Sequence, residues 1–111
     1  HSIESEFLGK RVKLSQILQS RNIDTTGLDF TSSEYSEKFD DFLYLQVGYP
    51  LLRSLTSGLF MSPYAITSVR EYFADAFEEY FLRDPMGVKL MSPAVYYKIE
   101  ELLESLGERF I

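Results

Sequence analysis

The chain has 111 residues, enough for one domain or a piece of one, and 45% of them are hydrophobic, with nine Phe and eight Tyr, which supplies a core and excludes a disordered segment. Its net charge is −6 and no basic run is longer than Lys10-Arg11, which argues against nucleic acid as a partner. No apolar run reaches the roughly eighteen residues of a membrane span, and the lack of cysteine leaves the redox compartment open.

Helix signals dominate in chain order, so the expected class is mainly α, with residues 1–111 forming a single unit. Ile3, Phe7 and Leu8 space like the tail of a helix that Gly9 ends, and Leu14, Ile17 and Leu18 predict a second short helix from about Lys13 to Ser20. Asn22 to Thr31, with Asp24-Thr25-Thr26-Gly27, reads as loop. Thr31-Ser32-Ser33-Glu34 has the spacing of a capping box and predicts a helix through Phe39, Phe42 and Leu43. Gly48-Tyr49-Pro50 breaks it, and Pro50 suits the start of a short helix over Leu51 to Thr56, closed by Gly58. Leu59 to Tyr64 contains Pro63 and reads as one short extended segment, an edge strand if it pairs at all. Ser68 then caps a long helix over Val69 to Leu82, stopped by Asp84-Pro85. Met86-Gly87 reads as a turn. Ser92-Pro93 opens the last helix, whose inner face is expected to carry Val95, Ile99, Leu102, Leu103 and Leu106.

The helix from Val69 carries the chemistry. Ser68 and Glu71 form an S-x-x-E capping box, and Val69, Tyr72, Phe73, Ala76, Phe77, Tyr80 and Phe81 recur on one broad apolar face. Glu71 and Asp75 stand one turn apart beside that face, and Tyr64 lies seven residues before Glu71. Two carboxylates on successive turns with a phenol just upstream suit a hydrolytic metal site. Each residue also has a plainer role: Glu71 as the capping partner of Ser68, Asp75 as a solvent-facing helix charge, Tyr64 as a ring packed in a half-buried loop.

The string E-Y-F-A-D-A-F, with Tyr64 in place before it, resembles the C-terminal signature of the anthrax lethal factor-like zinc metallopeptidases, the group that includes the clostridial Pro-Pro endopeptidases. Lys89, Ser92-Pro93 and Tyr96-Tyr97-Lys98-Ile99 are similar to that family's closing segment, with Val88 where the pattern has leucine. The likeness runs from about Leu59 to Leu103, and Val47 to Leu59 stands as extra material against the family. It implies the helical C-terminal half of a zincin-like metallopeptidase domain. It implies Glu71 as a zinc ligand beside two histidines, and a tyrosine, Tyr64, that donates to the oxyanion formed when water attacks the scissile carbonyl, a contribution of roughly 10²- to 10³-fold in rate. Asp75 would accept the second N–H of a metal-bound imidazole. The family more often has glutamate there.

The H-E-x-x-H helix that supplies those histidines and the general base is not in the chain. His1 is the only histidine. The order H-S-I-E resembles the stretch that begins at the second motif histidine, so His1 reads either as that zinc ligand or as a tag remnant. With no methionine and no signal peptide at its start, the chain reads as a fragment, a processed product or a trimmed piece. The expectation is therefore an intact parent that binds Zn2+ and cleaves a peptide or protein substrate, secreted by or displayed on a Gram-positive bacterium and toxin-related, as the resemblance implies. This chain alone should be inactive, with zinc absent or weakly held. The alternative is a non-catalytic helical interaction domain on the same scaffold, using the aromatic stretch Phe42 to Tyr49. A truncated half also exposes the face that packed on the missing helix, which makes a homodimer an expected arrangement.

Overall fold

The computed structural model describes residues 2–110, and the side chains of residues 2–107. The described residues form six α-helices and no strand: α1 (Ile3–Ser20), α2 (Glu37–Asp41), α3 (Tyr49–Leu55), α4 (Val69–Leu82), α5 (Pro85–Met91) and α6 (Pro93–Phe110). A π-helical turn, Phe42–Val47, continues α2, and a 3-10 turn, Pro63–Ile66, precedes α4. The mainly α class expected from the sequence is what is found. None of these helices is long and apolar enough to cross a membrane.

Helix α1 is one continuous element, which corrects the two short helices expected on either side of Gly9. A lone glycine inside a helix costs about 1 kcal/mol. Phe7, Arg11, Leu14 and Leu18 recur at helical spacing and are all buried, so tertiary packing outweighs that cost. Ser2 caps the helix by accepting from the Ser5 amide at 3.0 Å.

The next helix starts later than the Thr31 capping box predicted. Ser36 is the cap, its hydroxyl accepting from the Phe39 amide, and Ser32 instead accepts from the Glu34 amide in a local turn. Gly48, at φ 87°, ends the π turn, a backbone conformation that a side chain would strain, and α3 begins at Tyr49 rather than Leu51. The extended segment expected over Leu59 to Tyr64 is absent. Pro63 begins the 3-10 turn, and the Thr67 amide closes that turn on the Tyr64 carbonyl at 3.1 Å.

Helix α4 has the bounds the sequence predicted. Met86-Gly87 is not a turn but lies inside α5: the Asp84 carboxylate accepts from the Met86 amide at 3.1 Å, and Pro85 fits the first helical turn. Gly87 suits that start, because a Cβ there would meet the Asp84 carboxylate at 3.1 Å.

The core joins α1 to α4, with Phe60 and Tyr72 packed around Phe7 at ring distances of 6.4 and 5.5 Å. Val88, Val95 and Ile99 close it from α5 and α6. Arg11 is buried at its centre. Its guanidinium donates to the Ile66 carbonyl at 3.0 Å and the Asp29 carbonyl at 3.1 Å, and lies 3.8 Å from the Phe39 ring centre. One side chain thereby ties the loop before α2, α2 itself and the 3-10 turn to α1. The expected inner face of α6 is only half realised. Val95 and Ile99 are buried, but Leu102, Leu103 and Leu106 are exposed, because α6 runs on past the body of the fold.

Candidate metal and catalytic site

Glu71 is the third residue of α4. Its amide donates to the Ser68 hydroxyl at 3.1 Å, so half of the capping box is made. The other half is not. Among the described residues the Glu71 carboxylate takes no hydrogen bond and no ion pair, and it is exposed. The side chain is thus not consumed by capping.

Asp75, one turn on, is half-buried, and its Oδ2 accepts from the Ser62 hydroxyl. It is not the free solvent-facing charge of the plainer reading. Ser62 immediately precedes the turn that carries Tyr64, so this contact lays that turn against the side of α4 where Asp75 stands. Tyr64 is 58% exposed, and its ring meets Tyr49 edge to face at 5.2 Å. More than half of the residue is therefore open to solvent.

The start of α1 is fastened to the start of α4. The Ser33 hydroxyl donates to Glu4 at 2.9 Å, and the Val69 amide donates to the Ser33 carbonyl at 2.9 Å. One turn further, Glu6 accepts from the Tyr72 hydroxyl at 2.8 Å and from the Ala94 amide, in the first turn of α6, at 3.0 Å. Burial, with the adjacent Glu6 charge adding to it, raises the Tyr72 phenol well above its ordinary value. The first two turns of α1 therefore lie beside the end of α4 that bears Glu71. Lys10 completes this joint by donating to the Met91 carbonyl at the end of α5, and burial pushes its ammonium down to about 8 while Glu6 opposes the shift.

No family model, curated protein or solved structure matches this chain.

His1 lies outside the described residues. Among those described, no group of three or more His, Cys, Asp or Glu side chains is arranged to hold a metal ion. Two sequence-level candidates are thus linked through Ser62, namely Asp75 and the turn of Tyr64, and Glu71 stands free one turn away. Sequence reading missed Ser62, whose partner lies thirteen residues on, and it missed Arg11, read only as half of a short basic pair. Ser62 leaves no periodic signal, and Arg11, although it stands on the helical row of Phe7, Leu14 and Leu18, is a charge that an apolar pattern passes over. The nearest hint was Ser62-Pro63, a pair suited to opening a helical turn.

Proposed function

We propose that this chain is the C-terminal portion of a zinc-dependent metallopeptidase of the lethal factor-like group, and that its parent hydrolyses peptide bonds. The observation that carries the reading is the Glu71 carboxylate, left free at the start of a helix that bears the whole E-Y-F-A-D-A-F string. A free, exposed carboxylate fits a zinc ligand, while one carboxylate is too few for a peptidase site of three protein ligands and an open position. The other two would come from an H-E-x-x-H helix ahead of α1, with His1 as its second histidine. The bonds from Glu4 and Glu6 toward α4 support that joining, since they hold the start of α1 at the Glu71 end of α4.

In this reading Glu71 holds the metal. Asp75, with one oxygen on Ser62, would offer the other to the N–H of a ligand imidazole and so fix its tautomer. Tyr64 donates its hydroxyl proton in a hydrogen bond to the oxygen that gains charge in the transition state. Zinc, when bound, polarises the scissile carbonyl and makes water a nucleophile near neutral pH. The chain by itself, lacking the general base and the first motif histidine, would be inactive. Expression together with the coding segment that precedes it tests the proposal. About one zinc per chain by elemental analysis and chelator-sensitive cleavage of casein are expected. A preceding segment that neither ends in H-E-x-x before His1 nor carries H-E-x-x-H, or a longer protein with neither zinc nor cleavage, contradicts it.

A second reading, a non-catalytic interaction domain, is favoured by the outward display of Tyr44 and Leu45, 63% and 67% exposed on the π turn. It predicts a longer protein that binds a partner but leaves peptide bonds intact.

A further inference from the structure

Tyr64 is the end of a row. Its ring meets Tyr49 at 5.2 Å and Tyr49 meets Tyr44 at 5.5 Å, both edge to face. The positive φ of Gly48 folds the π turn back on α3, which brings Tyr44 and Tyr49 together. The middle ring is half-buried and pinned, its hydroxyl donating to Asp40 Oδ1 at 3.3 Å, while Tyr35 donates to the other Asp40 oxygen at 2.8 Å. The outer rings, Tyr44 and Tyr64, are 63% and 58% exposed.

We propose that Tyr64, Tyr49 and Tyr44 form a substrate subsite that receives apolar side chains of an extended peptide leading away from the scissile bond. The proposal rests on the reading of Tyr64 as the oxyanion donor. Three features support it. The centre of the row is held before any ligand arrives, because Asp40 accepts from the Tyr49 hydroxyl, and tyrosine offers a large contact area for few rotatable bonds. The row presents two exposed tyrosines, and the adjacent Asp40 carboxylate is acidic and already engaged with two phenols, so leucine-like side chains suit it and carboxylates, repelled by Asp40, do not. Its reach also fits: from Tyr64 to Tyr44 is at most about 11 Å, which an extended peptide covers in about three residues. The preference therefore falls two or three residues from the cut bond.

Titration of this chain with capped peptides, followed by NMR of the tyrosine rings, tests the row without any need for catalysis. Acetyl-Ala-Leu-Ala-Leu-amide should shift the ring signals of Tyr44, Tyr49 and Tyr64, and acetyl-Ala-Glu-Ala-Glu-amide should bind at least about tenfold more weakly. Tyr44→Ala, which removes an exposed ring, should weaken the leucine peptide about tenfold, as should Tyr49→Leu. No shift at these rings up to the solubility limit, or shifts confined to other residues, overturns the proposal. In the longer protein Tyr44→Ala should raise KM about tenfold for substrates with leucine at those positions and leave kcat nearly unchanged. An unchanged KM overturns the subsite. A longer protein that cleaves nothing while the titration succeeds sinks the peptidase reading and leaves the row standing as a peptide site.

Discussion

At Ser68 and Glu71 one helix start serves two purposes, since the Ser68 hydroxyl holds the Glu71 amide while the Glu71 carboxylate stays free. Substitutions separate them. Ser68→Ala should cost about 1 kcal/mol of stability in urea unfolding, as the loss of a cap does, whereas Glu71→Gln should cost less than about 0.5 kcal/mol. Equal losses would mean that Glu71 is only a capping partner. The pair was legible in the sequence because caps are local. Ser62 with Asp75, and Tyr49 with Asp40, were not, because each bond joins residues on different elements whose meeting depends on the fold. Tyr49 gives a pH prediction. Burial, reinforced by the Asp40 charge, pushes its phenol from 10.0 up to about 12. An acid raised by folding keeps its proton longer when folded, so its share of stability is whole below pH 10 and is lost as pH climbs through 12. Thermal unfolding should show a falling midpoint over that window, and Tyr49→Phe should remove part of the fall. A variant that follows the parent curve throughout would contradict this.

Among the elements, α4 was fully legible, with a serine cap at one end, Asp84-Pro85 at the other and an apolar face between. Helix α1 was misread at Gly9, since local propensity says nothing of the buried row Phe7, Arg11, Leu14 and Leu18 that carries the helix through. Asp84-Pro85 was read only as a stop, although the same two residues also start α5. The joints between elements make sharper predictions. Arg11→Lys keeps the charge but replaces a planar fork with a single ammonium, which cannot span the Ile66 and Asp29 carbonyls together. It should cost about 2 kcal/mol in equilibrium unfolding, as the loss of a buried hydrogen bond does. Glu6→Ala removes one acceptor from the buried Tyr72 hydroxyl and the acceptor of the Ala94 amide, and should cost about 2 kcal/mol. A neutral result for Arg11→Lys would mean that Arg11 does not tie the loop and the 3-10 turn to α1, and one for Glu6→Ala that Glu6 does not hold α1 to α4 and α6.

The whole molecule is long for its mass, 55 × 23 × 20 Å, and the outer part of α6 leaves an apolar groove of about 460 Å³ lined by Phe77, Phe81, Leu102, Leu103 and Leu106. The sequence marked these residues as core, because periodicity identifies an apolar face and not what covers it. We expect self-association in sedimentation velocity that grows with concentration and is removed by Phe81→Glu; a chain that stays monomeric at several hundred micromolar would contradict that. The most direct test of the peptidase account is the zinc content of the longer protein carrying Glu71→Gln, measured beside turnover. Gln keeps the shape of the side chain and removes its charge, so bound zinc should fall and excess zinc should restore part of the activity. Tyr64→Phe should instead keep its zinc while turnover drops by roughly 10²-fold. Unchanged zinc in the Glu71→Gln protein would end the assignment of Glu71 as a ligand, and with it the account.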